Sequence, residues 1–109
     1  MSLTEMKCVP CEGGVPTIKG RQIENYTCQL KSKWQVVDEK MLRREFSFEN
    51  FKAAMGFANK VGDIAEEEGH HPDLHIFYGK VVVELWTHAI DGLSENDFIV
   101  AAKIDDVPS

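Results

Sequence analysis

The spacing of apolar positions changes repeatedly along the chain, and each change predicts a new element. Over residues 19–30, Ile23, Tyr26, Thr27 and Leu30 recur at intervals of three and four, which predicts a short amphipathic helix. Residues 34–38 and 41–48 switch to a period of two. In the second run Leu42, Arg44, Phe46 and Phe48 alternate with charged or polar neighbours. The polar Asp38-Glu39-Lys40 joins the two runs, so an antiparallel hairpin is expected. From Ser47 or Glu49-Asn50 the period becomes helical again. Phe51, Ala54, Met55, Ala58, Val61, Gly62 and Ala65 make one continuous stripe. Glu66-Glu67-Glu68 closes this helix with acids, where the helix dipole favours cations, and Gly69 is the natural C-cap.

A second hairpin is expected from residues 74–78 and 81–88, with its turn at Gly79-Lys80. In its last strand Val81, Val83, Leu85 and Thr87 share one face; Val82, Glu84, Trp86 and His88 share the other. That apolar strand is also expected to leave a sheet edge that something must cover. Ser94 with Asp97 three residues on forms a capping box and opens a helix through Phe98, Ala101, Ala102 and Ile104. Residues 1–16, with Gly13-Gly14 and two prolines, read as a lead-in loop. The predicted fold class is α+β. Two β-hairpins form a four-stranded antiparallel sheet with helices packed on one face, in the order β-β-α-β-β-α after an N-terminal helix.

A length of 109 residues with 43% hydrophobic side chains suits a single domain over 1–109. The formal net charge of -6, with basic residues scattered among acids, provides no stripe for a phosphate backbone or an anionic membrane. No direct nucleic-acid or membrane partner is therefore expected. No apolar run approaches the ~20 residues of a membrane span, and the first residues lack a secretory pattern, so a cytoplasmic location is expected. Cysteines at positions 8, 11 and 28 are odd in number, which suits a reducing compartment better than a disulfide framework. Cys8-Val-Pro-Cys11 has the spacing of half a zinc knuckle or of a redox pair. No second such motif follows and no strand precedes it, so a tight loop with partly buried thiols is the simpler reading.

The candidate chemistry lies in the histidines. Three of the four, His70, His71 and His75, fall within six positions, and the fourth is His88. Imidazole, with an ordinary pKa of ~6.5, both holds and releases protons near neutral pH. His70 and His71 follow a helix end, and Pro72 restrains the turn after them. Counting from Gly79-Lys80, His71 and His88 are about equally far from the turn, so the hairpin brings them together. An acid–base site, a metal site and histidines without function all remain open at this point. Adjacent histidines chelate one tetrahedral ion poorly, however, and His-x-His and His-x3-His spacings are absent. His75 is explained by strand alternation, facing away from Leu74 and Ile76. Glu66, one helical turn before His70, is placed to orient a histidine and favour its protonated form, or is an ordinary solvated acid. Asp97 is expected to support His88 in the same way while capping its helix. Trp86 borders either the site or a subunit contact.

Glu66-x3-His70-His71-Pro72, Tyr78, Leu85-x-Thr87-His88 and Gly92-Leu93-Ser94 with Asp97 together resemble the signature of the pterin-4a-carbinolamine dehydratases. The tail ELWTHAIDGLSENDFIVAAKID is similar to that of bacterial members, and the resemblance spans residues 8–106 with its Cys-x2-Cys-x-Gly-Gly opening. It implies dehydration of 4a-hydroxytetrahydropterin, the product of aromatic amino-acid hydroxylases, to the quinonoid dihydropterin, with no metal or other cofactor. By the same resemblance His70, His71 and His88 surround the C4a hydroxyl. His71 is the central acid–base group, with His70 and His88 serving the two faces of the ring. Pro72, Trp86 and Thr87 would contact the pterin, and a homodimer or homotetramer is implied. Relatives that act as dimerisation cofactors or rubisco assembly factors supply an alternative, and a pterin-binding role in molybdopterin metabolism a third. Assembly factors tend to lose the histidines, and all three are present here. Ser94 stands where Thr is common and Leu74 where some animal members have Trp; neither belongs to the acid–base set.

Overall fold

The computed structural model describes residues 3–8 and 16–107. The helices are α1 (Arg21–Thr27), α2 (Phe51–Glu68) and α3 (Glu95–Asp105). The strands are β1 (Gln35–Val37), β2 (Met41–Ser47), β3 (Asp73–Phe77) and β4 (Lys80–Leu85). The strands form one antiparallel sheet in the order β1-β2-β4-β3, so the expected α+β architecture is present. Single 3-10 turns occur at Leu3–Glu5, inside the expected lead-in loop, and at His88–Ile90. The rest of that loop's turn-rich stretch, residues 9–15 with Cys11, lies outside the described residues.

Register explains which face is buried. Leu42 pairs with Leu85, Phe46 with Val81 and Leu74 with Val83, so their side chains share one face. Buried Ala54, Phe57 and Val61 of α2 and Phe98, Ile99 and Ile104 of α3 join them in one core. Asn50 caps α2 by accepting the Ala53 N–H at 2.9 Å. Phe51, expected in the apolar stripe, is 49% exposed, because it opens the helix past the last strand pair, Ser47 with Lys80. Phe57 fills the core instead, its ring centroid 4.5 Å from that of Phe46 and 5.1 Å from that of Phe48.

Two expectations about the second hairpin are corrected. Phe77 pairs with Lys80, so the two-residue turn is Tyr78-Gly79, one position earlier than expected. The Phe48 N–H donates to the Gly79 carbonyl at 2.8 Å, and a Cβ on Gly79 would lie 3.0 Å from the Phe48 oxygen, so backbone approach selects glycine there. β4 is also not an edge. It lies between β2 and β3, and its run of buried Val81, Val82 and Val83 reflects cover on both faces. On the outer face Val82 is opposed by Glu45 and His75, within a charged lattice of Arg43, Glu45, Glu84, His75 and Lys80.

Arg44 has the phase of a core residue, and its guanidinium shows why it is tolerated. It lies 4.1 Å from the centroid of the Phe46 ring and donates to Asp105 Oδ1 at 2.7 Å and to Ser32. The Asp105 side chain, 1% exposed, also accepts from Ser32 Oγ at 2.5 Å and Trp34 Nε1 at 3.1 Å. Removing one partner of such a buried pair leaves the other charge uncompensated, which costs about 3–5 kcal/mol. Asp105→Ala and Arg44→Met should therefore each lower unfolding free energy by about 3 kcal/mol in urea titrations, and the double variant by clearly less than the sum of the two.

Candidate active site

The C-terminus of α2 separates the two adjacent histidines. Gly69 adopts a left-handed φ of 67°, and its N–H and that of His70 both return to the Ala65 carbonyl. This termination drives His70 inward, where it is 6% exposed, and leaves the His71 side chain 60% exposed. His70 Nε2–H donates to Asp97 Oδ1 at 2.6 Å, and His71 Nε2–H donates to Glu66 Oε2 at 2.5 Å. Each imidazole therefore has one nitrogen committed to a carboxylate, which sets ring orientation. The two pairs differ in water access, since Asp97 is fully buried and Glu66 is exposed.

β4 ends at Leu85, so His88 does not extend the strand as expected. Thr87 instead forms an isolated bridge with Gly92, and the loop between them carries His88 at the start of the 3-10 turn. The strand face expected for His88 is therefore not the one it occupies, although His71 and His88 do come together, as the count from the hairpin turn expects. Gly69, His70, His71, Trp86, Thr87, His88 and Ala89 line one open cavity of about 240 Å³. The Trp86 and His88 rings pack with centroids 4.5 Å apart. The buried Trp86 Nε1–H has no hydrogen-bond partner among the described residues.

Asp97 was expected to support His88, and its partner is His70. The physical reason is the helix start: the capping box points the carboxylate back along the chain entering α3, toward the end of α2. Thr87 reaches the cavity wall, yet its hydroxyl donates into the protein, to Asp97 Oδ2 at 2.8 Å. Pro72 is half-buried just beyond the cavity lining. His75 faces the outer sheet surface and bonds Glu84 at 2.8 Å, away from the other three, as its alternation predicts. Ser94, whose hydroxyl lies 2.7 Å from that of Thr87, joins the network; its signal in the sequence was the capping box. Among the described residues no group of three or more His, Cys, Asp or Glu side chains is arranged to hold a metal ion.

The sequence profile of the family described as pterin 4 alpha carbinolamine dehydratase matches residues 16–107. The chain belongs to this family. A protein of Rubrobacter xylanophilus is 52% identical over 103 residues, covering 94% of this chain and 95% of that protein. One of Alkaliphilus metalliredigens is 49% identical over 104 residues, covering 95% and 94%. Both are provisionally named pterin-4-alpha-carbinolamine dehydratase. A crystal structure described as a transcriptional coactivator/pterin dehydratase from Brucella melitensis superposes with a TM-score of 0.75 at 31% identity, over 83% of this chain and 96% of that one. A pterin dehydratase-like protein described as a RuBisCO assembly factor in the alpha-carboxysome shares the fold, with a TM-score of 0.55 at 23% identity, over 67% of this chain and 83% of its own. No helix among the described residues is long and apolar enough to cross a membrane.

The acids that end α2 are each accounted for. Glu66 serves His71 and Glu67 accepts from Lys7 Nζ at 3.3 Å, while the Glu68 side chain, 1% exposed, accepts from Lys103 Nζ at 2.6 Å and from the Cys8 N–H at 3.0 Å, with Lys7 Nζ at 3.6 Å. Burial by itself would push the Glu68 carboxyl up. The Lys103 and Cys8 hydrogen bonds and the charges of Lys103 and Lys7 outweigh it and hold the group down to about 2. Because the folded value lies below the ordinary 4.5, Glu68 stabilises the fold fully above pH 4.5, and that contribution fades as pH falls toward 2. Urea midpoints followed over this range should drop more steeply for the parent than for Glu68→Gln, and the two curves should converge at the acid end.

Proposed function

We propose that this chain catalyses dehydration of 4a-hydroxytetrahydropterin to quinonoid dihydropterin and water, recycling the pterin cofactor of aromatic amino-acid hydroxylases. The observation that carries the reading is the convergence of His70, His71 and His88 on one open cavity, in a member of this family. The reaction breaks the C4a–O bond. The departing hydroxyl takes up a proton and leaves as water, while a ring nitrogen gives up its proton and its electron pair completes the new double bond. One group must donate and another accept, and positioned imidazoles do both near neutral pH.

In this reading His71, exposed and paired with Glu66, exchanges protons with the substrate and solvent. His70, held by Asp97, and His88, packed at a tilt against Trp86, address the ring from the adjoining walls of the cavity. The Trp86 indole offers a flat apolar border for a pterin, and Pro72 holds the histidine pair against the start of β3. The active species is proposed to be a cytoplasmic homodimer or homotetramer.

Loss of a synthetic 4a-hydroxytetrahydropterin, followed by ultraviolet absorbance in buffer containing a chelator, tests the proposal. The parent should accelerate it, and His71→Ala should lower kcat about a hundredfold while far-ultraviolet circular dichroism stays unchanged. A folded parent that gives no acceleration overturns the dehydratase reading and favours a non-catalytic assembly or pterin-binding role.

A further inference from the structure

Resting on the dehydratase reading, we propose that Thr87 is the positioning residue that sets the proton-bearing nitrogen of His70 through Asp97 and, through its own backbone, the placement of His88. Its side chain is buried although it stands between two cavity-lining aromatic residues, Trp86 and His88. The hydroxyl faces a carboxylate that is removed from water.

The hydrogen bonds around that carboxylate run in one direction. Asp97 as a carboxylate only accepts. Its Oδ2 takes the Thr87 hydroxyl at 2.8 Å and the Ser94 N–H at 2.9 Å. The Ser94 hydroxyl oxygen already accepts the Asp97 N–H of the capping box. Since the Thr87 proton is given to Asp97, the Ser94 hydroxyl must donate to Thr87 across their 2.7 Å contact. The donors therefore point from Ser94 to Thr87 to Asp97, and His70 Nε2–H enters at the other oxygen at 2.6 Å. These donors stabilise Asp97 as a carboxylate, and a carboxylate beside Nε2 of His70 keeps that nitrogen protonated, whereas a protonated Asp97 would donate to it instead.

The backbone of the same residue holds the loop that carries His88. The Thr87 N–H donates to the Gly92 carbonyl at 2.8 Å, and the Thr87 carbonyl accepts from the N–H of Ile90 at 3.2 Å and of Gly92 at 3.4 Å. A shift of Thr87 therefore moves His70 and His88 relative to each other, and misplacement of catalytic groups by a fraction of an ångström is felt in the rate.

Long-range proton–nitrogen correlation spectra of histidine-labelled protein, recorded alongside the dehydration assay, test this. In the parent, His70 should carry its proton on Nε2. In Thr87→Val, which keeps the shape and loses the hydroxyl, the His70 nitrogen shifts should move toward a mixture of tautomers. With it kcat should fall about tenfold and KM should change little. Thr87→Ser should restore both. A purely structural role would lower the unfolding temperature of Thr87→Val and leave the tautomer as it is. The proposal is overturned if the parent's His70 is protonated on Nδ1 alone, or if Thr87→Val leaves nitrogen shifts and kcat unchanged. Should Thr87→Val not fold, Ser94→Ala interrupts the same chain of donors from its far end; unchanged His70 shifts there would also overturn the proposal. A parent without dehydratase activity would remove the reaction, while its spectra would still report whether Thr87 sets the tautomer.

Discussion

A single carboxylate at the start of α3 is the constraint on which the rest of the arrangement depends. An ionised group with no solvent contact is costly unless hydrogen bonds replace its hydration. Asp97 obtains them from the Ser94 backbone, the Thr87 hydroxyl and the His70 imidazole. Those three donors come from the entry to α3, the exit of β4 and the end of α2. Satisfying one buried charge thus ties the entry to α3 to the two chain segments that line the cavity, and the helix cap and the proposed proton-transfer site share one carboxylate.

α3 shows why such polar anchors are needed. Asn96 through Ala102 are all buried, so the helix is apolar on most of its circumference. A helix of that kind has little preference for one rotation about its axis, because nearly every rotation buries similar area. Asp97 fixes its beginning against His70 and Thr87, while Lys103 and Asp105 fix its last turn, the first against Glu68 and the second against Arg44, Ser32 and Trp34. Buried polar pairs are seldom strong net stabilisers, but they can specify one geometry among several of similar apolar burial. For a cavity whose walls are separate loops and helix ends, that specificity counts for more than the stability of any one pair.

Much of this was legible in the sequence because it rests on local rules. The period-two runs, the helical stripe, the Gly69 cap and the Ser94-Asp97 box all report their own backbone, and each element is present, its ends differing from the expected ones by up to three residues. What escaped were features decided by distant partners. Strand order placed β4 inside the sheet, which no pattern within 81–88 could announce, since a buried central strand and an apolar edge strand read alike. The departure of residues 86–88 from the strand depends on the Thr87–Gly92 bridge, formed with a residue beyond the next turn. The choice of His70 over His88 as the partner of Asp97 is likewise tertiary. Phe51 and Phe57 both fit helical spacing, and only the length of the sheet beneath α2 decides which is covered.

The four imidazoles, similar in sequence terms, stand in different solvent environments. His71, His75 and His88 are exposed, whereas His70, 6% exposed beneath the end of α2, shows only an edge to the cavity. An acylating reagent dissolved in water would reach the first three and spare the fourth. A histidine count obtained by chemical modification would therefore include His75, which bonds Glu84 on the far face of the sheet, and omit the one imidazole tied to the buried carboxylate.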